Sequence, residues 1–207
     1  ILGRYHYTPM EAAKRQLKNI CLDYLAWLKT ADGFAICLEQ FYRADNMTDM
    51  IGALQAITHI SCSERQQLLV DFYHKWQEEP LIMDKWLGIQ AIAELPDTID
   101  KVAALLTHKI FDINNPNKVY ALVGGFGGSN PLRFHDISGE GYKLLADVVL
   151  QLDKINPQVA ARMANPFAQK HYYDQIRQDL MNQQLHKIIN TPAISKNLAE
   201  IVDKCRK

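Results

Sequence analysis

Seven histidines and four cysteines are the side chains through which this 207-residue chain could hold a metal or carry a soft nucleophile. A catalytic zinc needs three protein ligands and an open position, often supplied in part by H-E-x-x-H on one helical face. That pattern is absent from the sequence. His74 comes nearest, with Asp71 three residues before it and Glu78 four after, but solvated helical ion pairs share this spacing. His171 with Asp174 has the same standing. Cys21, Cys37, Cys62 and Cys205 show no C-x-x-C spacing. Cys21 and Cys205 fall on apolar helical faces, so the cysteines read as buried free thiols of a reducing compartment. Ser63, Ser129, Ser138 and Ser195 lack the G-x-S-x-G elbow of a serine nucleophile.

The run Gly124-Gly125-Phe126-Gly127-Gly128-Ser129-Asn130 invites a phosphate-loop reading. A Walker loop requires a Lys after its last glycine to reach the β/γ-phosphates, and none follows here. A dinucleotide fingerprint starting at Gly125 and Gly127 would need a third glycine where Asn130 stands. The cluster is therefore expected to mark a helix end or the close approach of another segment. Asn130-Pro131 reads as a cap or turn. Trp27, Trp76 and Trp86 lie in helical stretches and are expected in the core.

Hydrophobic residues make up 48% of the chain and charged residues 22%, an ordinary globular composition. Twenty-three basic residues balance 23 acidic ones, so no bulk field draws the chain to nucleic acid or anionic lipid. The apolar runs are too short to span a bilayer. The chain starts Ile1-Leu2-Gly3-Arg4 without a Met or an apolar leader, which reads as a fragment cut from a longer protein.

Helix signals recur throughout. Six of the eight prolines follow Asn or Thr, pairing a capping side chain with Pro at the first helical position. Behind Thr8-Pro9, residues Met10, Ala13, Leu17, Ile20, Cys21, Tyr24, Leu25 and Leu28 fall on one face, predicted to be the buried one. Ser61 with Glu64 predicts a capped helix to about Gln77. The segment Leu81–Ala93 is apolar nearly all round and is expected between neighbours, near the centre of the fold. Further helices are predicted from Asp97, Asn115-Pro116, Gly139, Asn156-Pro157, Asn165-Pro166, Tyr173 and Thr191-Pro192. No segment alternates like a strand. Short connections at ~15–20-residue intervals predict an all-α fold of about ten helices. They pair as antiparallel hairpins in an irregular, right-handed, HEAT-like superhelix, a single unit over 1–207.

Several stretches in register resemble the C-terminal helical domain of bacterial aminopeptidase N, a zinc alanyl aminopeptidase of the gluzincin class. They are Asn46-Met47-Thr48-Asp49, Met83-Asp84-Lys85-Trp86, Asn114-Asn115-Pro116-Asn117-Lys118, Gly128-Ser129-Asn130-Pro131, Phe134-His135, Gly141-Tyr142 and Asn156-Pro157-Gln158-Val159-Ala160. The resemblance implies a cytoplasmic, zinc-dependent parent that removes N-terminal residues from peptides. In that parent, this domain would cap the catalytic domain and restrict access to the substrate cavity. The family's zinc site, G-A-M-E-N motif and catalytic Tyr lie upstream. This chain should accordingly hold no metal and be inactive alone, its partner being the upstream catalytic domain of the same polypeptide. Apolar surface is expected near Ile1, Leu2 and Tyr5, where the missing part of the domain would pack. The resemblance also places Arg162 facing the substrate cavity, where its guanidinium could hold a peptide carboxylate. Tyr120 stands where some members carry a second basic residue, which departs from the pattern. From the residues alone, Arg162 could equally be a surface helix residue paired with Asp153. An independent HEAT-like interaction scaffold, without a peptidase partner, is the competing reading.

Overall fold

The computed structural model describes residues 5–206, and among them every regular element is a helix. The chain divides between Ile89 and Gln90 into two compact units.

The first unit holds α1 (Pro9–Trp27), α2 (Ala31–Arg43), α3 (Met47–Ala56), α4 (Ser63–Trp76) and most of α5 (Pro80–Ala91). Side-chain caps start the first three. Thr8 Oγ1 accepts from the Glu11 amide at 3.2 Å, Thr30 Oγ1 from Gly33 at 3.1 Å, and Asn46 Oδ1 from Asp49 at 3.0 Å. At α4 the expected Ser61–Glu64 box does not form. Cys62 is the cap instead, its Sγ accepting from the Arg65 amide at 3.4 Å. Phe41, Leu54, Ile57, Leu68, Phe72, Met83 and Leu87 make the core. A polar seam joins α1, α2 and α3, where Lys18 pairs with Asp49 at 2.5 Å and Gln40 donates to Asn19 Oδ1 and to the Asp49 carbonyl. Tyr42 donates to Asp71 Oδ2.

α1 departs from its predicted orientation. Its buried residues are Arg15, Leu22 and Ala26, and the apolar stripe predicted to face inward is exposed. Cys21 goes with the stripe and is exposed, and Trp27 is also largely exposed. Arg15 explains how a basic residue can take the inner face: its guanidinium lies over the Tyr5 ring and donates to the His6 carbonyl. Ile1 and Leu2 lie outside the described residues. In α5 the buried expectation holds for Met83, Trp86, Leu87, Ile89 and Ala91, while Leu81 at its start is exposed.

The second unit begins with α6 (Thr98–Leu105). A continuous helical run follows from Pro116 to Ser129, made of α7 (Pro116–Val119), a π-helical turn (Tyr120–Gly124) and α8 (Gly125–Ser129). Then come α9 (Pro131–Phe134), α10 (Glu140–Asp153), α11 (Pro157–Met163), a 3₁₀ segment (Asn165–Tyr172), α12 (Gln175–Ile189) and α13 (Lys196–Arg206). Phe126, Phe134, Tyr142 and Phe167 form an edge-to-face and tilted aromatic cluster at the centre, with ring centroids 5.2–6.4 Å apart. Leu145, Val149, Met181, Leu185, Leu198 and Val202 extend this core. Lys170 is buried and donates to Asn182 Oδ1 and to the Arg206 carbonyl, placing a cation at the C-terminal end of α13. The last helix starts later than Thr191-Pro192 predicts. Ala193 adopts φ 61°, and Ser195 Oγ accepts from the Leu198 amide.

Among the described residues, no helix is long and apolar enough to cross a membrane.

Candidate functional site

The two residues singled out by resemblance meet in the second unit. Arg162 sits in the last turn of α11, which Asn156 starts by accepting from the Val159 amide at 3.2 Å. Tyr120 opens the π-turn. The Arg162 guanidinium carbon lies 4.6 Å from the centre of the Tyr120 ring, a cation–π contact.

Asp153, the alternative partner for Arg162, is turned elsewhere: its carboxylate accepts from both the backbone amide and the hydroxyl of Ser195. Among the described residues, no carboxylate lies in ion-pair range of Arg162. A guanidinium that packs on an aromatic ring and pairs with no carboxylate can bind a planar anion through its N–H donors.

Both residues line a cleft of about 450 Å³, together with Gly124, Gly127, Gly128, Met163 and Pro166. The glycines do not end the helix, as the sequence suggests, but lie inside it. The part of that expectation concerning close approach applies at Gly127, where a Cβ would come within 3.3 Å of Pro166 Cγ. The π-turn is also invisible to periodicity arguments. It adds a residue to one turn, and such turns recur at functional sites. Here it offsets α8 from α7 and widens the helix where Tyr120 supports Arg162.

Gly128 has open space at its Cβ position. A helical glycine with no packing reason costs ~0.5–1 kcal/mol relative to alanine. Gly128→Ala should therefore raise the stability of this chain by about that amount in urea denaturation. A fall would mean that the glycine meets a local need that the open space at its Cβ position does not account for.

Among the described residues, no three His, Cys, Asp or Glu side chains gather in a metal-holding arrangement, so these residues offer zinc no candidate ligand set.

The family model described as "Domain of unknown function (DUF3458_C) ARM repeats" matches residues 2–207. The chain belongs to this family. It corresponds to the C-terminal helical domain of aminopeptidase N. It is 40% identical over 204 residues to aminopeptidase N of Caulobacter vibrioides, covering 99% of this chain and 24% of that protein. To aminopeptidase N of Haemophilus influenzae it is 38% identical over 203 residues, covering 98% of this chain and 23% of the relative. The crystal structure of Legionella pneumophila aminopeptidase A in complex with aspartic acid superposes with a TM-score of 0.89 at 38% identity, over 99% of this chain and 25% of that one. The chain thus spans about a quarter of the length of the relatives it matches, and it shares their all-helical fold in this region.

Proposed function

We propose that this chain is the non-catalytic helical domain of a zinc-dependent, cytoplasmic aminopeptidase. In the whole protein it caps the catalytic domain and limits the cavity to peptides. Zinc and the groups that activate water belong to the remaining polypeptide, and this chain alone is inactive. The relatives, about four times longer and named aminopeptidases, support this reading over an independent scaffold.

Arg162 carries the more specific part of the proposal. A peptide held by its amino terminus at the catalytic centre presents its free carboxylate at a distance fixed by its length. Arg162, stacked on Tyr120 and paired with no carboxylate among the described residues, offers a bidentate site for that group at the cleft edge. Tyr120 supplies no second charge. Its ring packs against the guanidinium and limits where that group can go.

The test uses the whole polypeptide carrying Arg162→Ala. Its kcat/KM for tripeptides and tetrapeptides should fall roughly five- to tenfold, in keeping with one charge-assisted hydrogen-bonding pair worth ~1–1.5 kcal/mol. A single-residue chromogenic amide, lacking the carboxylate, should be hydrolysed at the unaltered rate. Equal losses on both substrates, or none on either, would return Arg162 to a structural role.

A further inference from the structure

The amphipathic pattern of α1 is inverted. Met10, Leu17, Ile20, Tyr24 and Leu28 stand at 67, 63, 44, 74 and 66% exposure, while Arg15, Leu22 and Ala26 face the unit's interior. At ~100° of rotation per residue, the exposed five and Cys21 form one stripe along nearly the whole helix, on the side away from the buried three. Isolated exposed apolar side chains are ordinary, but a contiguous stripe of large ones marks a surface that another element covers.

α13 supplies the contrast. Its exposed residues are Lys196, Asn197, Glu200, Asp203, Lys204 and Arg206, all polar. That is how a helix faces water in a stacked array, where terminal layers carry polar outer faces and inner layers are apolar on both sides. α1 has the two-sided character of an inner layer.

We propose that the outer stripe of α1 is an internal seam of the whole protein, covered by an amphipathic helical layer of the same polypeptide that lies outside the 207 residues. About three quarters of each matched relative lies outside the aligned region, so there is ample chain to supply it. An array described as ARM repeats buries its layers in this way. A second copy of this chain is the competing occupant, and the two are separable by experiment. The inference rests on the chain's being part of a longer polypeptide and is independent of Arg162.

Cys21 is a built-in reporter, because it lies in the stripe and is exposed here, whereas Cys37 and Cys205 are buried. In the whole polypeptide, alkylation of the peptide containing Cys21, followed by mass spectrometry, should be at least tenfold slower than in the same polypeptide unfolded in guanidinium. That protection should be unchanged on hundredfold dilution. Leu17→Lys in the whole polypeptide should lower its unfolding midpoint and speed Cys21 labelling. Labelling at the unfolded rate, or a Leu17→Lys variant as stable and as protected as the parent, would overturn the proposal. Protection that disappears on dilution would overturn it in favour of a second copy.

Discussion

Asn130→Ala should destabilise this chain by ~2–4 kcal/mol, measured as a lower urea midpoint with an unchanged slope. Asn130 is 1% exposed and serves two helix ends at once. Its side-chain oxygen accepts from the Arg133 amide at 3.2 Å, starting α9. Both hydrogens of its amide are also spent, one on the Ala91 carbonyl at 2.9 Å and one on the Ala93 carbonyl at 2.8 Å. Those carbonyls lie at and just past the C-terminal end of α5, where a helix leaves acceptors without partners of its own. Arg133 adds a fork onto the Glu94 carbonyl, at 3.1 and 2.9 Å. Removing the amide strands the Ala91 carbonyl, while the Ala93 carbonyl keeps the Thr98 hydroxyl at 2.7 Å, and it also loses a cap, which is why the expected cost exceeds the ~1 kcal/mol of an ordinary cap deletion. Asn130→Asp separates the two roles. Aspartate keeps the capping oxygen but has no N–H for the carbonyls, and it places a carboxylate against them. At pH 7 it should therefore be at least as damaging as alanine. If Asn130→Asp were harmless, the cap alone would matter and the clamp on α5 would carry no weight.

Asn130 also shows what a sequence does and does not reveal. Its capping role follows from Asn-Pro alone, because a local hydrogen bond three residues away needs no tertiary information. The clamp on residues nearly forty positions earlier has no local trace. The same division runs through the molecule. Thr8, Asn115 and Asn156 cap as Thr-Pro and Asn-Pro predict, whereas the Ser61 and Thr191-Pro192 starts do not hold. The face that each helix buries is a tertiary choice. In α1 the period identifies a real apolar stripe but does not say which neighbour covers it, and a basic residue, Arg15, ends up inside.

The cleft divides in the same way. Arg162 and Tyr120 stand out only through a family resemblance, and nothing in their types or spacing indicates that they would stack. Their contact depends on a π-turn that helical periodicity averages away. The glycine run is conspicuous in the sequence, and its missing lysine removes the Walker reading. Only the geometry shows that one glycine admits Pro166 and another leaves a gap. Met163, which lines the cleft, carries no sequence signal that singles it out, and Asn165-Pro166 signals a helix start but not a cleft.

Acidification should destabilise the second unit through one histidine. His135 is buried between rings, 3.8 Å from Tyr173 in a stacked pair and 5.5 Å from Tyr142. Its Nδ1 lies 2.9 Å from the Tyr142 hydroxyl. Burial pushes that phenol up to about 12, so it remains protonated and is the natural donor to a neutral imidazole. Arg177 Nε donates to the His135 carbonyl at 2.6 Å while its guanidinium pairs with Asp174. Burial, and secondarily the Arg177 charge, lower the His135 pKa to about 4 from an ordinary 6.5. The folded state thus prefers the neutral ring, and the unfolded chain binds a proton that the folded one refuses. The stability that depends on neutral His135 is fully present above pH ~6.5 and is progressively lost as pH falls from there toward 4. The loss should approach ~3 kcal/mol at the lower end, since each tenfold difference in proton affinity between the two states is worth ~1.4 kcal/mol. Urea denaturation at a series of pH values between 7 and 4 measures it. His135→Gln should be less stable than the parent at pH 7, having lost the stacked ring, yet should show a shallower decline over this interval. Carboxylates titrating nearby contribute equally to both proteins, so the difference between the two slopes isolates the histidine. Parallel slopes would mean that His135 takes up its proton in the folded state as readily as in the unfolded chain.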